Sequence, residues 1–410
     1  MKGFSSKAIH GVISKKDVHG TLRFPLYDSA AFEAATAKDL EFAFEGKKLF
    51  HTYSRISNPT VDDFEQRIRV LTDSFGVVAV SSGMAAIAET VFALTETGSN
   101  IITSRFLFGN TISLFEKTFK RWGLHIKYAD MTEPQSILPL IDENTRLIFL
   151  ESITNPQLEV ADVEKITSLV KIYSIPVVLD GTLTTPYLFN SKKAGVAIEI
   201  ISSTKYISGG ATTIGGLIID NGSFDWNKVP ALSDDARKAG PAVFLMRLRR
   251  EIHRNLGSCI SPHNAWLQVL GLETLALRIE KSSRNALLIA EFLSNNSKVR
   301  KVVYPGLPNS KSYDIAKKQF RSGFGGILVF ELNNKEDCFR FIDNLTIIRR
   351  ATNLNDNKTL IIHPASTIFC DYSAEEREKM LVTDRLIRLS VGIEDIDDLI
   401  DDLQTGLESI

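Results

Sequence analysis

The chain has 410 residues, of which 44% are hydrophobic and 24% charged, with a formal net charge of −1 at pH 7. This length predicts more than one domain, and the near-neutral charge excludes the strongly basic classes that bind nucleic acid or anionic membranes. Three widely spaced cysteines form neither a disulfide framework nor a metal cluster, and no stretch resembles a signal peptide or a membrane helix, so we expect a cytoplasmic protein without a metal.

The first 60 residues are predicted to form an irregular arm, because proline and glycine interrupt every pattern there. A helix is predicted from residue 61, after a cap at Pro59-Thr60. Short apolar strands then alternate with amphipathic helices; the predicted strands cover 76–82, 100–104, 146–152, 176–182 and 196–204. This alternation is typical of a mostly parallel sheet that is covered by helices on both faces.

After about residue 255 the pattern changes to a long helical stretch with a break near Gly271. Strands are predicted within 299–306, 326–332 and 359–367, and the chain ends in an acidic helix over 394–409. We therefore predict an α/β protein with three parts: an arm of residues 1–60, a large domain of residues 61–255, and a smaller C-terminal α/β domain of residues 256–410.

Polar residues follow the predicted strands of the large domain, at the edge where ligands bind in open α/β sheets. After the first strand the chain turns directly into a helix, whose free N–H groups suit an anion. The other strand ends carry acids, hydroxyls, an amide and a lysine; the full set is Ser81, Ser82, Gly83, Met84, Glu151, Asn155, Asp180, Thr182, Ser202, Thr204 and Lys205.

This set matches the binding needs of pyridoxal 5′-phosphate (PLP). A desolvated lysine amine has a lowered pKa and forms Schiff bases with carbonyls, which suits Lys205. A carboxylate such as Asp180 can keep a pyridine nitrogen protonated, so that the ring remains an electron sink. The free N–H groups at Gly83 and Met84 would bind the phosphate.

These residues also resemble a family, the Cys/Met-metabolism PLP-dependent enzymes, from "YSRISNPT" (53–60) to "LIRLSVGIED" (386–395). The resemblance implies the fold-type I PLP-dependent transferase fold. It includes cystathionine γ-synthases, cystathionine lyases, methionine γ-lyases and O-acetylhomoserine sulfhydrylases, and the chain is most similar to the last group in "MRLRREIHRNLGSCISPHNAWLQVLGLETLALRIEKSSRNAL" and in its ending.

The resemblance implies a role for each site residue. Lys205 would carry the cofactor and move the substrate protons, and Asp180 would pair with the pyridine nitrogen. The remaining cofactor-binding residues would be Ser202, Thr204, Gly83, Met84, Phe108, Asn155 and Thr182.

Three further implications concern the neighbouring subunit and the substrate. Tyr53 and Arg55 would reach the phosphate of a neighbouring subunit, so a homodimer would be the smallest active unit and a homotetramer is expected. Arg388 would bind the substrate carboxylate with help from Asn155 and Thr352, although a structural ion pair is the alternative for Arg388.

The expected reaction is a γ-replacement on O-acetyl-L-homoserine, in which sulfide or a small thiol gives homocysteine or methionine, with acetate as the other product. Phe108 occupies a position that is often tyrosine in the family, and phenylalanine cannot donate a proton. Acetate needs such an acid for its departure less than a thiolate does, because the conjugate acids have pKa values of about 4 for a carboxylic acid and about 8.5 for a thiol. Asn110, where methionine γ-lyases carry cysteine, favours the same branch.

Three departures from the family pattern leave the reaction open. Gly181 stands where asparagine is usual, Asn355 where glycine is usual, and Ile368-Phe369 replaces Thr-His. The alternatives are a methionine or cystathionine γ-lyase, a cystathionine γ-synthase, and, from another functional class, an idle PLP-fold protein that serves as a binding partner.

Overall fold

The computed structural model describes residues 1–12 and 19–410, and its strands form two sheets. The larger sheet has seven strands in the order β1-β7-β6-β5-β4-β2-β3. Their bounds are β1 Gly76–Val80, β2 Asn100–Ser104, β3 His125–Ala129, β4 Thr145–Glu151, β5 Val177–Asp180, β6 Ile198–Ile201 and β7 Gly216–Asp220.

Only β7 runs against the common direction of this larger sheet, since it pairs antiparallel with both β1 and β6. The pairs β6–β5, β5–β4, β4–β2 and β2–β3 are parallel. The carboxyl ends of six strands therefore meet at one edge, where the sequence predicts the ligand. The prediction of a mostly parallel sheet is confirmed.

The smaller sheet has five strands in the order β10-β11-β12-β9-β8. Its pairs are antiparallel except for β10–β11. The bounds are β8 Lys301–Val303, β9 Ile327–Glu331, β10 Arg349–Arg350, β11 Leu360–Ile362 and β12 Leu386–Ser390. A second, smaller α/β unit is thus present in the C-terminal part, as predicted.

Helices cover both faces of the larger sheet and also pack against the smaller one. In chain order their bounds are α1 Phe4–His10, α2 Ala37–Phe44, α3 Pro59–Thr72, α4 Gly83–Leu94, α5 Gly109–Ser113, α6 Val163–Val170, α7 Thr185–Leu188, α8 Ser233–Ala239, α9 Val243–Arg247, α10 Arg254–Leu256, α11 Pro262–Glu273, α12 Leu275–Ser294, α13 Tyr313–Gln319, α14 Lys335–Asp343, α15 Ala374–Lys379 and α16 Ile396–Glu408. Among the described residues, no helix is long and apolar enough to cross a membrane.

The hydrophobic core explains why the larger sheet is rigid enough to carry a site. Every residue of β1, β2 and β7 is buried. On one face α4 and α9 pack against the sheet, and on the other face α3, α11 and the start of α12 do so. Burying each large apolar side chain stabilises the fold by about 1.5–3 kcal/mol, so a stable core holds the strand ends in place.

The structure differs from the sequence predictions in several elements. The arm is not wholly irregular, because α1 and α2 lie within it. Helix α3 begins at Pro59, with the side chain of Asn58 accepting a hydrogen bond from the Thr60 N–H at 2.9 Å, so Asn58 is the cap. The break in the long helical stretch falls at Thr274. Strands β3, β7, β10 and β12 were not predicted.

Candidate active site

A cavity of about 610 Å³ opens at the carboxyl edge of the larger sheet. This volume is within the usual range for small-molecule sites, about 300–1,000 Å³. Ten of the predicted site residues line it: Gly83, Met84, Phe108, Asn155, Asp180, Thr182, Ser202, Thr204, Lys205 and Thr352. Residues that are far apart in the sequence are brought together here because the strand ends converge.

One end of the cavity is built to hold an anion. Helix α4 starts there, and its cap Ser82 accepts a hydrogen bond from the Ala85 N–H at 3.1 Å. The N–H groups of the first turn have no acceptor within the helix, and they point toward the cavity end with the positive end of the helix dipole. A Cβ at Gly83 would lie 2.7 Å from the Ser202 Cβ, so only glycine lets the Ser202 hydroxyl approach this turn so closely.

Asp180 ends β5 beside a second acid, Glu151 at the end of β4, and the two residues are paired in the sheet register. The Thr182 N–H donates to Asp180 Oδ1 at 2.9 Å, and burial raises the pKa of Asp180. Burial, with a smaller contribution from the charge of Asp180, raises the pKa of Glu151 well above its usual range. Glu151 Oε1 accepts a hydrogen bond from the Phe108 N–H at 2.6 Å, which fixes the loop that carries Phe108.

Lys205 follows β6 and projects into the cavity. The pKa of its amine is lowered to about 8, mainly by burial and to a smaller extent by the positive charge of Arg388, while the negative charge of Asp356 opposes them. Lys205 Nζ donates a hydrogen bond to Asn353 Oδ1 at 2.8 Å. An amine with this pKa is partly neutral near pH 7 and can act as a nucleophile or a base.

Arg388 lies on β12, 1% exposed, behind the cavity wall rather than on it. Its guanidinium donates to Asn155 Oδ1 at 3.2 Å and to the carbonyl oxygens of Thr352 and Asn353 at 3.1 and 3.2 Å. Burial lowers the pKa of Arg388 to about 10. Within the described part of the chain no hydrogen-bond partner is found for its Nε, and no carboxylate forms an ion pair with it, so the structural ion pair considered above is not formed.

The wall opposite the sheet consists of loops in which the sequence analysis assigned only Thr352 to the site. Asn353, Leu354, Thr367 and Ile368 line the cavity from this side. The sequence signal was the run "ATNLNDNKTL", where Asn355 takes the left-handed conformation (φ 55°) that its replacement of glycine suggested. Nothing in that run reveals that the neighbouring Asn353 meets Lys205.

Tyr53 and Arg55 do not line the cavity of their own chain. The Tyr53 side chain is 44% exposed, and the Arg55 guanidinium carbon lies 5.4 Å from its ring centroid. Arg55 Nη1 donates a hydrogen bond to the Arg254 carbonyl oxygen. Neither residue therefore contributes to the cavity that Lys205 lines in the same chain.

The residues present fit PLP. The first turn of α4 at Gly83 and the Ser202 hydroxyl supply donors for a phosphate, Asp180 supplies an acid for a ring nitrogen, and Lys205 supplies an amine within the same cavity. Among the described residues, no three His, Cys, Asp or Glu side chains are grouped so that they could hold a metal ion.

Known proteins resemble the chain over its full length. Residues 5–408 match the family model of Cys/Met metabolism PLP-dependent enzymes. A solved O-acetylhomoserine sulfhydrylase from Wolinella succinogenes is 47% identical, covers 86% of this chain and 99% of its own, and superposes with a TM-score of 0.78. An L-methionine gamma-lyase from Fusobacterium nucleatum subsp. nucleatum is 33% identical over 100% of this chain and 98% of its own.

A second solved structure bears on the cofactor. A protein from Campylobacter jejuni subsp. jejuni, assigned as an O-acetylhomoserine (thiol)-lyase, is 35% identical, with a TM-score of 0.93 over 99% of this chain and 100% of its own. It carries N′-pyridoxyl-lysine-5′-monophosphate at its own position 205, the number of the cavity lysine here. Fold, cavity and similarity agree: the chain belongs to the Cys/Met metabolism family of PLP-dependent enzymes.

Proposed function

We propose that the protein catalyses γ-replacement on O-acetyl-L-homoserine, with sulfide or a small thiol as the incoming group. The products are acetate and homocysteine, or methionine when the thiol is methanethiol. The observation that carries this assignment is the composition of the cavity wall: Phe108 lines it, and no tyrosine does so among the described residues. A wall without a phenolic acid suits a leaving group that departs as a stable anion, and acetate is a far better leaving group than a thiolate.

Lys205 is the group that moves protons. Bound PLP supplies an electron sink that stabilises negative charge on the substrate carbons. The Lys205 amine, with its pKa lowered to about 8, accepts the proton that leaves Cα and, in a later step, the proton that leaves Cβ. Its hydrogen bond to Asn353 holds Nζ on the loop side of the cavity between these steps.

The strand-end residues are assigned to the cofactor. Gly83, Met84, Ser202 and Thr204 bind its phosphate, and Thr204 is itself fixed by two hydrogen bonds with Gly215, at 3.0 and 3.1 Å. Asp180, oriented by the Thr182 N–H, pairs with the ring nitrogen. Phe108 would stack on the ring, and Thr182 and Asn155, which line the same cavity, would also hold the cofactor.

The substrate carboxylate is assigned to Arg388, with Asn155 and Thr352 beside it. The guanidinium already contacts both of these residues, so a carboxylate at this wall would meet a preformed cation. Among the described residues, no carboxylate pairs with this buried charge, which is costly unless a substrate supplies one.

A second copy of the chain is proposed to complete the site. The arm of residues 1–60 exposes large apolar side chains that its own chain does not cover: Leu22, Leu26, Tyr27, Leu40, Phe44, Leu49 and Tyr53. Such a surface favours burial against another subunit, which would bring Tyr53 and Arg55 to the neighbour's phosphate site. We propose a homodimer as the minimal unit, a homotetramer as the full assembly, and a cytoplasmic location.

A γ-lyase is the second candidate, because a methionine γ-lyase is among the similar proteins. The test is to incubate the PLP-loaded protein with O-acetyl-L-homoserine, with and without sulfide, and to measure homocysteine and 2-oxobutanoate. We expect homocysteine only with sulfide, and little 2-oxobutanoate in either sample. Abundant 2-oxobutanoate without sulfide, and no homocysteine with it, would establish the lyase. A protein that binds no PLP and forms neither product would be the idle binding protein.

A further inference from the structure

A third acid, Glu199, lies behind Asp180 and has no role in the scheme above. It sits in the middle of β6, paired with Leu179 of β5 and Ile219 of β7, and its side chain is 1% exposed. Carboxylates are rarely buried to this extent without a cation or several donors. Its presence inside the sheet that carries the site therefore needs an explanation.

The contacts of Glu199 are few. Oε2 accepts a hydrogen bond from the Ser191 hydroxyl at 2.6 Å, and Ser191 in turn accepts one from the Asn221 side chain at 3.1 Å. Within residues 1–12 and 19–410 no hydrogen-bond partner is found for Oε1. The carboxyl group of Glu199 thus receives one hydrogen bond for its two oxygens. An anion needs more donors than this, so the contacts suit the protonated, neutral form better.

The free oxygen of Glu199 lies directly against the residue that follows Asp180. A Cβ at Gly181 would stand 2.2 Å from Glu199 Oε1 and 3.1 Å from its carboxyl carbon. A side chain at Gly181 would therefore require the buried carboxyl group of Glu199 to move. The glycine that replaces the family's usual asparagine is explained, because the carboxyl group fills the space that such a side chain would need.

The surroundings of Glu199 contain one other charge. The groups facing it are Asp180 from β5, Ser191 from the segment before β6, and Asn221 from the end of β7, and no cation acts on it among the described residues. Burial raises the pKa of Glu199 to about 7, Ser191 lowers it, and the charge of Asp180 raises it. Glu199 is thus mostly neutral below pH 7 and becomes an anion above it.

We propose that Glu199 is a positioning residue for Asp180: its carboxyl group supports the backbone at Gly181, and on losing its proton it adds a second negative charge behind the acid that faces the cofactor's ring nitrogen. This inference rests on the proposed role of Asp180. A cation at the ring nitrogen and an anion at Glu199 stabilise each other, so PLP affinity rises as Glu199 ionises.

The test compares PLP dissociation constants of the full-length protein at about pH 6 and about pH 8.5. We expect Glu199→Gln, which keeps the shape and removes the charge, to weaken PLP binding about tenfold at the higher pH and less than twofold at the lower pH. The matched control is Asp220→Asn. Asp220 is also fully buried, with its pKa raised to about 6 by burial, but it lies at the opposite edge of the sheet, paired with Ile198. The Asp220→Asn variant should leave the ratio of the PLP dissociation constants at the two pH values unchanged.

Thermal unfolding of the PLP-free chain gives a readout without the cofactor. Because the folded pKa of Glu199 is raised, its stabilising effect is complete below the unfolded value near 4.5 and is lost as the pH rises through about 7. Glu199→Gln should therefore gain in Tm relative to the wild type between pH 5 and pH 8. Gly181→Ala should lower Tm in the wild type, and much less in a Glu199→Ala background.

The outcomes separate this inference from the proposed function. If Asp180→Asn weakens PLP binding but Glu199→Gln behaves like Asp220→Asn, the inference about Glu199 is wrong and the role of Asp180 stands. If Asp180→Asn itself binds PLP normally, the proposed role of Asp180 is wrong.

Should Glu199→Gln fold poorly, Ser191→Ala serves instead: loss of its donor raises the pKa of Glu199, so the rise in PLP affinity must shift to higher pH. An unshifted rise would overturn the proposal.

Discussion

The two walls of the cavity are built in different ways. The sheet wall consists of strand ends and the first turn of α4. Strand pairing fixes Asp180 there, and the Ser202 N–H donates a hydrogen bond to the Thr182 hydroxyl at 2.8 Å. The loop wall consists of Thr352, Asn353 and their neighbours, held by hydrogen bonds to the buried Arg388. The sheet wall offers a rigid set of charges, which suits a permanent cofactor. The loop wall is the part that can vary with the substrate.

The largest effect is expected at the point where the two walls meet. Lys205→Ala removes the amine that we assign to both cofactor attachment and proton transfer, so activity should fall by about a thousandfold or more. Lys193→Ala, which removes an exposed lysine, is the control. Measuring product formation together with the visible absorbance of the purified proteins checks this. Retained activity in Lys205→Ala would show that the walls do not meet at a catalytic amine.

The loop wall is tested at its buried cation. Arg388→Lys cannot keep three planar contacts at once, so we expect the KM for the amino-acid substrate to rise about 10- to 100-fold, with PLP affinity close to that of the wild type. Arg385→Lys, at a residue whose side chain is 43% exposed just before β12, is the matched control. A change in PLP affinity rather than KM would assign Arg388 to the sheet wall instead.

The sheet wall is tested at its closest backbone approach. Gly83→Ala places a methyl group 2.7 Å from the Ser202 Cβ, and relieving this clash should cost about 1–3 kcal/mol of PLP binding or folding free energy. Gly3→Ala, where the new Cβ comes no nearer than 3.9 Å to another atom, should change neither quantity. Equilibrium PLP titration and thermal unfolding measure the two terms. An unaffected Gly83→Ala would mean that the turn does not touch the phosphate.

The smallest effect concerns the hydrogen bond that joins the walls. Asn353→Ala removes an acceptor that stabilises the charged amine, so the pKa of Lys205 should fall below its value of about 8. Asn353→Asp adds a negative charge and should raise the same pKa. The pH dependence of the rate at which PLP-free protein binds PLP reports both shifts. If the PLP-binding rate had the same pH dependence in both variants, the hydrogen bond between Lys205 and Asn353 would be contradicted.

The sequence predicted the sheet wall much better than the loop wall. Strand β2 was predicted residue for residue at 100–104. Strand β1 lies within the predicted strand 76–82, because a strand buried on both faces is a nearly continuous apolar run. Strand β3, "HIKYA", was missed because it lies at the sheet edge and is half exposed. The contact between Asn353 and Lys205 joins residues 148 positions apart, so no local pattern could reveal it. In the sequence, Glu199 is one residue of a predicted strand, and no local pattern shows that its side chain is buried against Gly181.

The most direct test of the account locates the cofactor on the chain. The PLP-loaded protein would be reduced with borohydride and digested, and the pyridoxyl-labelled peptide would be identified by mass spectrometry. The account predicts one labelled residue, Lys205, and no label in the Lys205→Ala variant. Stoichiometric label on another lysine, or none in a protein that still turns over O-acetyl-L-homoserine, would contradict the account.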